Sequence, residues 1–116
     1  MSESTKSQIY ALKLAAISYS KLKDYTKAEK SIRKALDLNP GSKSLEHELA
    51  KIFLKSENYD KALQRLKAIA SIKNKDILYK DIGLAYFGMG KLEKALDFSN
   101  KSLNQNQSYI EAHFLK

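Results

Sequence analysis

The feature that most constrains the fold is a set of small residues that returns at a nearly constant interval. Ala16, Ala50 and Gly83 are separated by 34 and then 33 positions. Each is followed three positions later by an aromatic residue, which is Tyr19, Phe53 or Tyr86. Each is also followed 12 positions later by an alanine, which is Ala28, Ala62 or Ala95. A period of this length is typical of stacked copies of one supersecondary unit, and it favours a binding scaffold over an enzyme.

The segments between these marks are predicted to be helices. Apolar residues recur at intervals of three and four, while the alternation expected of strands is absent. Capping residues, the single proline and the four glycines delimit seven helices, over about residues 7–22, 25–38, 42–56, 59–72, 75 or 77 to 88, 91–104 and 108–116. Pro40 ends the second helix because it cannot continue the hydrogen-bond ladder. Ser108 and Glu111 form a capping box that predicts the start of the seventh.

These residues resemble the tetratricopeptide repeat (TPR), whose unit is a 34-residue helical hairpin. The large–small pair of the family's first helix corresponds to Ala15-Ala16, Leu49-Ala50 and Ile82-Gly83. The closing proline survives only as Pro40, and the third copy is degenerate, with Ser99 and Ser102 at positions that are apolar in the other two. The resemblance implies an all-α, right-handed superhelix (solenoid) of three helical hairpins plus a C-terminal helix.

The resemblance also divides the chain into three repeats, over residues 9–42, 43–75 and 76–107. Residues 1–8 are predicted to be a flexible N-terminal segment. Residues 108–116 are predicted to be a C-terminal helix that is either a cap or the start of a fourth repeat, and their apolar residues favour a fragment of a longer protein. An apolar end of this kind would also allow self-association through the C-terminal helix.

In the family that this chain resembles, the first helices of the hairpins line a concave groove that holds a peptide. Carried over by register, the predicted peptide-binding residues are Tyr10, Lys13, Leu14, Ile17, Lys21, His47, Lys51, Leu54, Lys55, Ile77, Lys80, Leu84 and Phe87. Exposed apolar clusters often mark an interaction surface, although some of these residues would instead pack against the neighbouring first helix. Since the lysines make the groove basic, the resemblance implies a protein or peptide partner with an apolar anchor and acidic flanks.

One subclass of the family grips the terminal carboxylate of heat-shock chaperones with a set of lysine, asparagine and arginine side chains. Only Lys13 matches that set, and the other positions are taken by Ile17, Glu48, Ile77 and Asp81. Because Glu48 and Asp81 would repel a carboxylate, we do not expect this chain to bind chaperone tails.

Sequence patterns that indicate catalysis are nearly absent, and we predict no catalytic residue, no metal site and no cofactor. The chain has no cysteine, and His47 and His113 lack the carboxylate spacing of a metal site. Its first residues have no apolar signal-peptide core, and no apolar run approaches the roughly 20 residues of a membrane span. A cytoplasmic protein without a membrane span is therefore predicted.

The net charge of +8 makes nucleic acid an alternative partner, although not the one we expect. Residues 1–40 and 41–75 each carry 8 basic and 4 acidic groups, whereas residues 76–116 carry 5 of each. The second helix has a basic stripe, which consists of Lys23, Lys27, Lys30 and Lys34. The near-absence of arginine argues against phosphate binding, as does a period shorter than that of RNA-reading helical repeats. A further alternative is an accessory domain of a larger enzyme.

Overall fold

The computed structural model describes residues 1–69 and 75–114, with side chains as far as residue 105. The described residues form no strand and six helices, which are α1 (Glu3–Lys21), α2 (Tyr25–Leu38), α3 (Lys43–Lys55), α4 (Tyr59–Ala68), α5 (Lys75–Gly88) and α6 (Leu92–Phe114). Consecutive helices pair into three hairpins, and each hairpin packs on the next through α2 with α3 and α4 with α5. The predicted all-α solenoid is therefore confirmed.

Short polar side chains start three of the helices. The hydroxyl of Ser2 accepts the backbone N–H of Thr5, the carboxylate of Asp24 accepts that of Lys27, and the hydroxyl of Ser42 accepts that of Leu45, at 3.1–3.2 Å. Each bond satisfies one of the backbone donors that a helix start leaves free and contributes about 1 kcal/mol. These caps set where α1, α2 and α3 begin.

The same backbone turn closes the first helix of every hairpin. Lys23, Glu57 and Gly90 occupy one repeat position, and their φ angles are all positive, at 64°, 65° and 79°. The residue after each of them donates a backbone hydrogen bond of 2.8–2.9 Å to the carbonyl of the repeat's aromatic residue, five positions earlier. This is the bond of a Schellman motif, which satisfies carbonyls at a helix end. The sequence period is thus also a period of backbone geometry.

The small residues that define the period lie where the helices cross. Four of them have no exposed surface, namely Ala16, Ala28, Ala50 and Ala62. At the third crossing, a Cβ on Gly83 would lie only 3.4 Å from the carbonyl oxygen of Ala95. Larger side chains fill the remaining space in two clusters, of which Phe53 in the first and Leu66 in the second are almost wholly buried. The prediction that these periodic residues build the core is confirmed.

The structure differs from the sequence-based helix boundaries at both ends of the chain. Helix α1 already begins at Glu3, because Ser2 caps it, so the segment 1–8 that was predicted to be flexible is mostly helical. Helix α6 continues to Phe114 without a break at Ser108, so the predicted seventh helix is the end of the sixth. The polar residues 104–108 include neither proline nor glycine, and nothing in them stops a helix.

The end of the fourth predicted helix differs as well. Helix α4 ends at Ala68, whereas the sequence predicted helix as far as residue 72. Residues 70–74, where the predicted helix would have ended, lie outside the described part of the chain.

Candidate functional site

The first helices of the hairpins, α1, α3 and α5, present most of the residues that were predicted to bind a peptide. On α1, Tyr10 is 71% exposed and Leu14 is 55% exposed. On α3, by contrast, Leu54 is half-buried and packs against both core clusters. The apolar residues of the predicted groove are therefore of two kinds, those free to contact a ligand and those already packed against a neighbouring helix.

Two polar contacts link neighbouring first helices across this surface. Lys13 Nζ donates a hydrogen bond to Ser44 Oγ at 3.1 Å, between α1 and α3. His47 Nε2 donates a hydrogen bond to Asp81 Oδ2 at 2.7 Å, between α3 and α5. Asp81 is only 3% exposed, so its carboxylate depends on this partner and on Lys80, whose Nζ lies 3.7 Å from Oδ1. His47 thus ties two hairpins together.

Sequence analysis placed His47 in the groove but did not find its partner. His47 and Asp81 are 34 positions apart, which is one repeat length, and Lys13 lies a further 34 positions before His47. Residues one period apart stand side by side on adjacent first helices, so this spacing was a signal that could have identified the pair. The other acidic group near the groove, Glu48, is also paired, since it accepts a hydrogen bond from Lys51 at 3.4 Å.

The remaining lysines of the predicted groove stay available to a ligand. Lys21 and Lys55 are exposed, and within the described residues neither forms an ion pair or a side-chain hydrogen bond. Both stand at the C-terminal ends of their helices, where a cation is favourable beside the helix dipole. They leave positive charge at one edge of the surface that Tyr10 and Leu14 share.

Three of the four predicted residues of α5 line a second groove, whereas Ile77, which is 38% exposed, does not. Lys80, Leu84 and Phe87 line an apolar groove of about 600 Å³ that is formed between α5 and α6. Its other wall was missed by sequence analysis and comes from α6, mainly from Leu92, Leu96 and Leu103. The four- and seven-residue steps between these leucines were a helical signal for one apolar face.

The basic stripe on α2 is partly occupied by contacts within the protein. Lys27 lies 3.8 Å from Asp24 Oδ2, and its ammonium lies 5.8 Å from the centre of the Tyr19 ring. The same lysine–aromatic contact recurs in the other hairpins, between Lys61 and Phe53 and between Lys94 and Tyr86. These lysines therefore lie over the rings of the repeat's aromatic residues, which is a structural role.

Two other kinds of site were sought in the described residues. No group of three or more histidine, aspartate or glutamate side chains in that part of the chain is arranged to hold a metal ion. None of the described helices combines the length and the apolar character that crossing a bilayer requires.

Comparisons with known proteins agree with this geometry. One tetratricopeptide repeat model matches residues 20–85, and a second matches residues 78–109. No curated protein sequence matches the chain.

Two solved structures share the fold. The crystal structure of MamA matches with a TM-score of 0.76 and 22% identity, over 90% of this chain and 61% of that one. The N-terminal domain of stress-induced protein-1 (STI-1) from C. elegans matches with a TM-score of 0.71 and 19% identity, over 89% of this chain and 87% of that one. The chain thus spans less than two thirds of the length of the MamA structure, and at these identities both structures support the fold alone.

Proposed function

Because the chain belongs to the tetratricopeptide repeat family, whose repeats are non-catalytic and serve as protein-interaction scaffolds, we propose that its concave face binds a peptide segment of a partner protein. The concave face is the surface presented by α1 and α3 together with the start of α5. The observation that supports this proposal most directly is the exposure of two large apolar side chains, Tyr10 and Leu14, on a helix that ends in an exposed cation, Lys21.

The partner that fits this surface combines an apolar anchor with acidic flanks. Covering a side chain such as Leu14 contributes about 1.5–3 kcal/mol, whereas an exposed ion pair to Lys21 or Lys55 contributes about 0–1 kcal/mol. The apolar anchor would therefore set most of the affinity. The acidic flanks would mainly accelerate association and make it sensitive to salt.

An internal peptide segment fits the surface better than a terminal carboxylate does. Lys13 is the one cation at the positions that hold a carboxylate in the chaperone-binding subclass, and it already donates to Ser44. Asp81 and Glu48 lie at two of the other positions and carry negative charge. At these positions, the free carboxylate of a ligand would face two acidic side chains and one lysine, Lys13, that is already hydrogen-bonded to Ser44.

The alternatives rest on weaker observations. Nucleic acid would have to bind the stripe on α2, where Lys27 is engaged by Asp24 and by the Tyr19 ring. An accessory role in a larger enzyme has no contact in the described residues that favours it. The cytoplasmic location stays a prediction from the sequence.

The proposal can be tested by selecting a displayed peptide library on the immobilised chain and measuring the affinity of enriched peptides by fluorescence anisotropy. We expect enriched peptides to carry one or two large apolar residues flanked by aspartate or glutamate. The double substitution Tyr10→Asp and Leu14→Asp should raise their Kd by about tenfold or more, because it removes the apolar contact.

A matched control is Leu22→Asp, which makes the same change at an exposed leucine near the end of α1 that is outside the predicted groove. Circular dichroism of all variants establishes that they remain helical. Equal affinity of the double variant and the control would place the peptide elsewhere. Binding of an RNA oligomer with a steep salt dependence, unaffected by the double substitution, would support the nucleic-acid alternative instead.

A further inference from the structure

The groove between α5 and α6 repeats a surface that is covered elsewhere in the molecule. In the second hairpin, the corresponding surface of α3 and α4 is packed against α5, and Leu63 is only 7% exposed. Leu96 holds the same repeat position in the third hairpin, 33 residues later, and is 61% exposed. The first and second hairpins of the described structure therefore have the next hairpin packed on this surface, whereas the third, formed by α5 and α6, has none.

The exposed groove is strongly apolar, and one of its polar groups is already satisfied. Five large apolar side chains, each about half exposed or more, contribute to it, namely Leu84, Phe87, Leu92, Leu96 and Leu103. The hydroxyl of Ser102, which also lines the groove, donates a hydrogen bond to the carbonyl oxygen of Asp76 at 2.7 Å. Large exposed apolar patches of this kind mark interaction surfaces or ligand-binding grooves.

The charge of the third hairpin indicates which protein segment this is. Residues 1–40 and 41–75 each carry an excess of four basic groups, whereas residues 76–116 carry 5 basic and 5 acidic groups. Two copies of the third hairpin can therefore approach each other without net repulsion, while contact through either of the other hairpins would bring like charges together. The neutral hairpin is also the one that exposes the apolar groove.

We propose that two copies of this chain associate through the α5–α6 groove in a two-fold arrangement, with the apolar residues of α6 from each copy covering the groove of the other. A two-fold interface needs a surface that is complementary to itself, and an apolar, electrically neutral patch meets that requirement. This proposal uses a surface distinct from Tyr10 and Leu14, so it does not rest on the peptide-binding proposal.

The test is sedimentation equilibrium of the 116-residue chain over a range of concentrations. We expect a concentration-dependent rise from the chain mass of 13.2 kDa to twice that mass. Leu96→Glu should raise the dimer dissociation constant at least about tenfold, because each dimer would bury two carboxylates in an apolar contact. Leu22→Glu is the matched control, since Leu22 is even more exposed, at 76%, but lies at the C-terminal cap of α1.

Each result decides the proposal. A dimer that Leu96→Glu weakens and Leu22→Glu leaves unchanged supports it, provided that circular dichroism shows both variants to be equally helical. A chain that stays monomeric at all concentrations overturns the dimer proposal and favours a segment other than a second copy of this chain as the ligand of the groove. A mass that grows beyond the dimer overturns the two-fold arrangement in favour of head-to-tail stacking. Peptide binding should be unchanged in Leu96→Glu, which separates this test from that of the concave face.

Discussion

The second and third hairpins have the same architecture but different surroundings. The second has a hairpin on each side, and its α4 residues Leu63 and Leu66 are buried. The third packs against a neighbour only through α5 in the described structure, and its corresponding residues Leu96 and Ser99 are exposed. The comparison shows that a repeat position has no fixed role, because the neighbouring hairpin decides whether that position belongs to the core or to a binding surface.

Only some of the sequence differences between these two hairpins match the difference in burial of the equivalent positions. Ser99 is polar where Leu66 is apolar, as expected of a position that faces water. Leu96 is as apolar as its buried equivalent Leu63, so exposure to water does not explain the choice of side chain at this position. This mismatch between an apolar side chain and an exposed position is the observation that supports the proposed interface at the α5–α6 groove.

The largest effect is expected when the buried member of an equivalent pair is truncated. Leu66→Ala should lower the free energy of unfolding by about 2–5 kcal/mol, because Leu66 is fully buried and its removal leaves a cavity. Ser99→Ala, at the same position of the third hairpin, should change it by less than about 0.5 kcal/mol. Urea denaturation followed by circular dichroism measures both. Similar losses in the two variants would contradict the difference in burial.

A second, smaller effect is expected where the second hairpin touches the third. A Cβ added at Gly88 would overlap the ring of Tyr59, whereas a Cβ at Gly41 meets nothing within 4 Å. Gly88→Ala should therefore destabilise the fold by about 1–3 kcal/mol, although the same change in an exposed helix stabilises it by up to about 1 kcal/mol. Gly41→Ala is the control in thermal denaturation. A raised melting temperature for Gly88→Ala would show that the two hairpins are less tightly packed than described.

The smallest of the three effects concerns the polar contacts between first helices. His47→Ala should cost about 1–2 kcal/mol, because it removes a bond to the buried carboxylate of Asp81. Lys13→Ala removes the equivalent contact between α1 and α3, which is exposed, and should cost less than about 0.5 kcal/mol. A double-mutant cycle with Asp81→Asn isolates the His47 contribution. Additive losses in that cycle would mean that the pair contributes nothing specific.

Much of the fold could be predicted from local patterns in the sequence. The period of Ala16, Ala50 and Gly83 predicted three hairpins, and the capping residues Asp24 and Ser42 predicted two helix starts that the structure shows. These features depend on residues close together in the chain, whose helical geometry is set by steric fit and local hydrogen bonds. The boundary at Ser108 could not be predicted in this way, because a capping box is also compatible with a continuous helix.

The candidate sites were less predictable, since they depend on which helices become neighbours. Register alone assigned Leu84 and Phe87 to the same groove as Tyr10, but the structure places them against α6. Register also treated Leu54 as a groove residue, although it packs against both core clusters. Whether a neighbouring helix covers an apolar side chain depends on the packing between hairpins. The spacing of residues within one helix carries no information about that packing.

The sequence by itself thus determined the helical period, the small residues at the helix crossings and the membership of the tetratricopeptide repeat family, because each repeat encodes the same crossing of two helices. Only the tertiary structure decided which equivalent residues are buried and which are exposed. Leu63 and Leu96 have the same side chain at the same repeat position, and they differ solely in whether a further helix is packed on them.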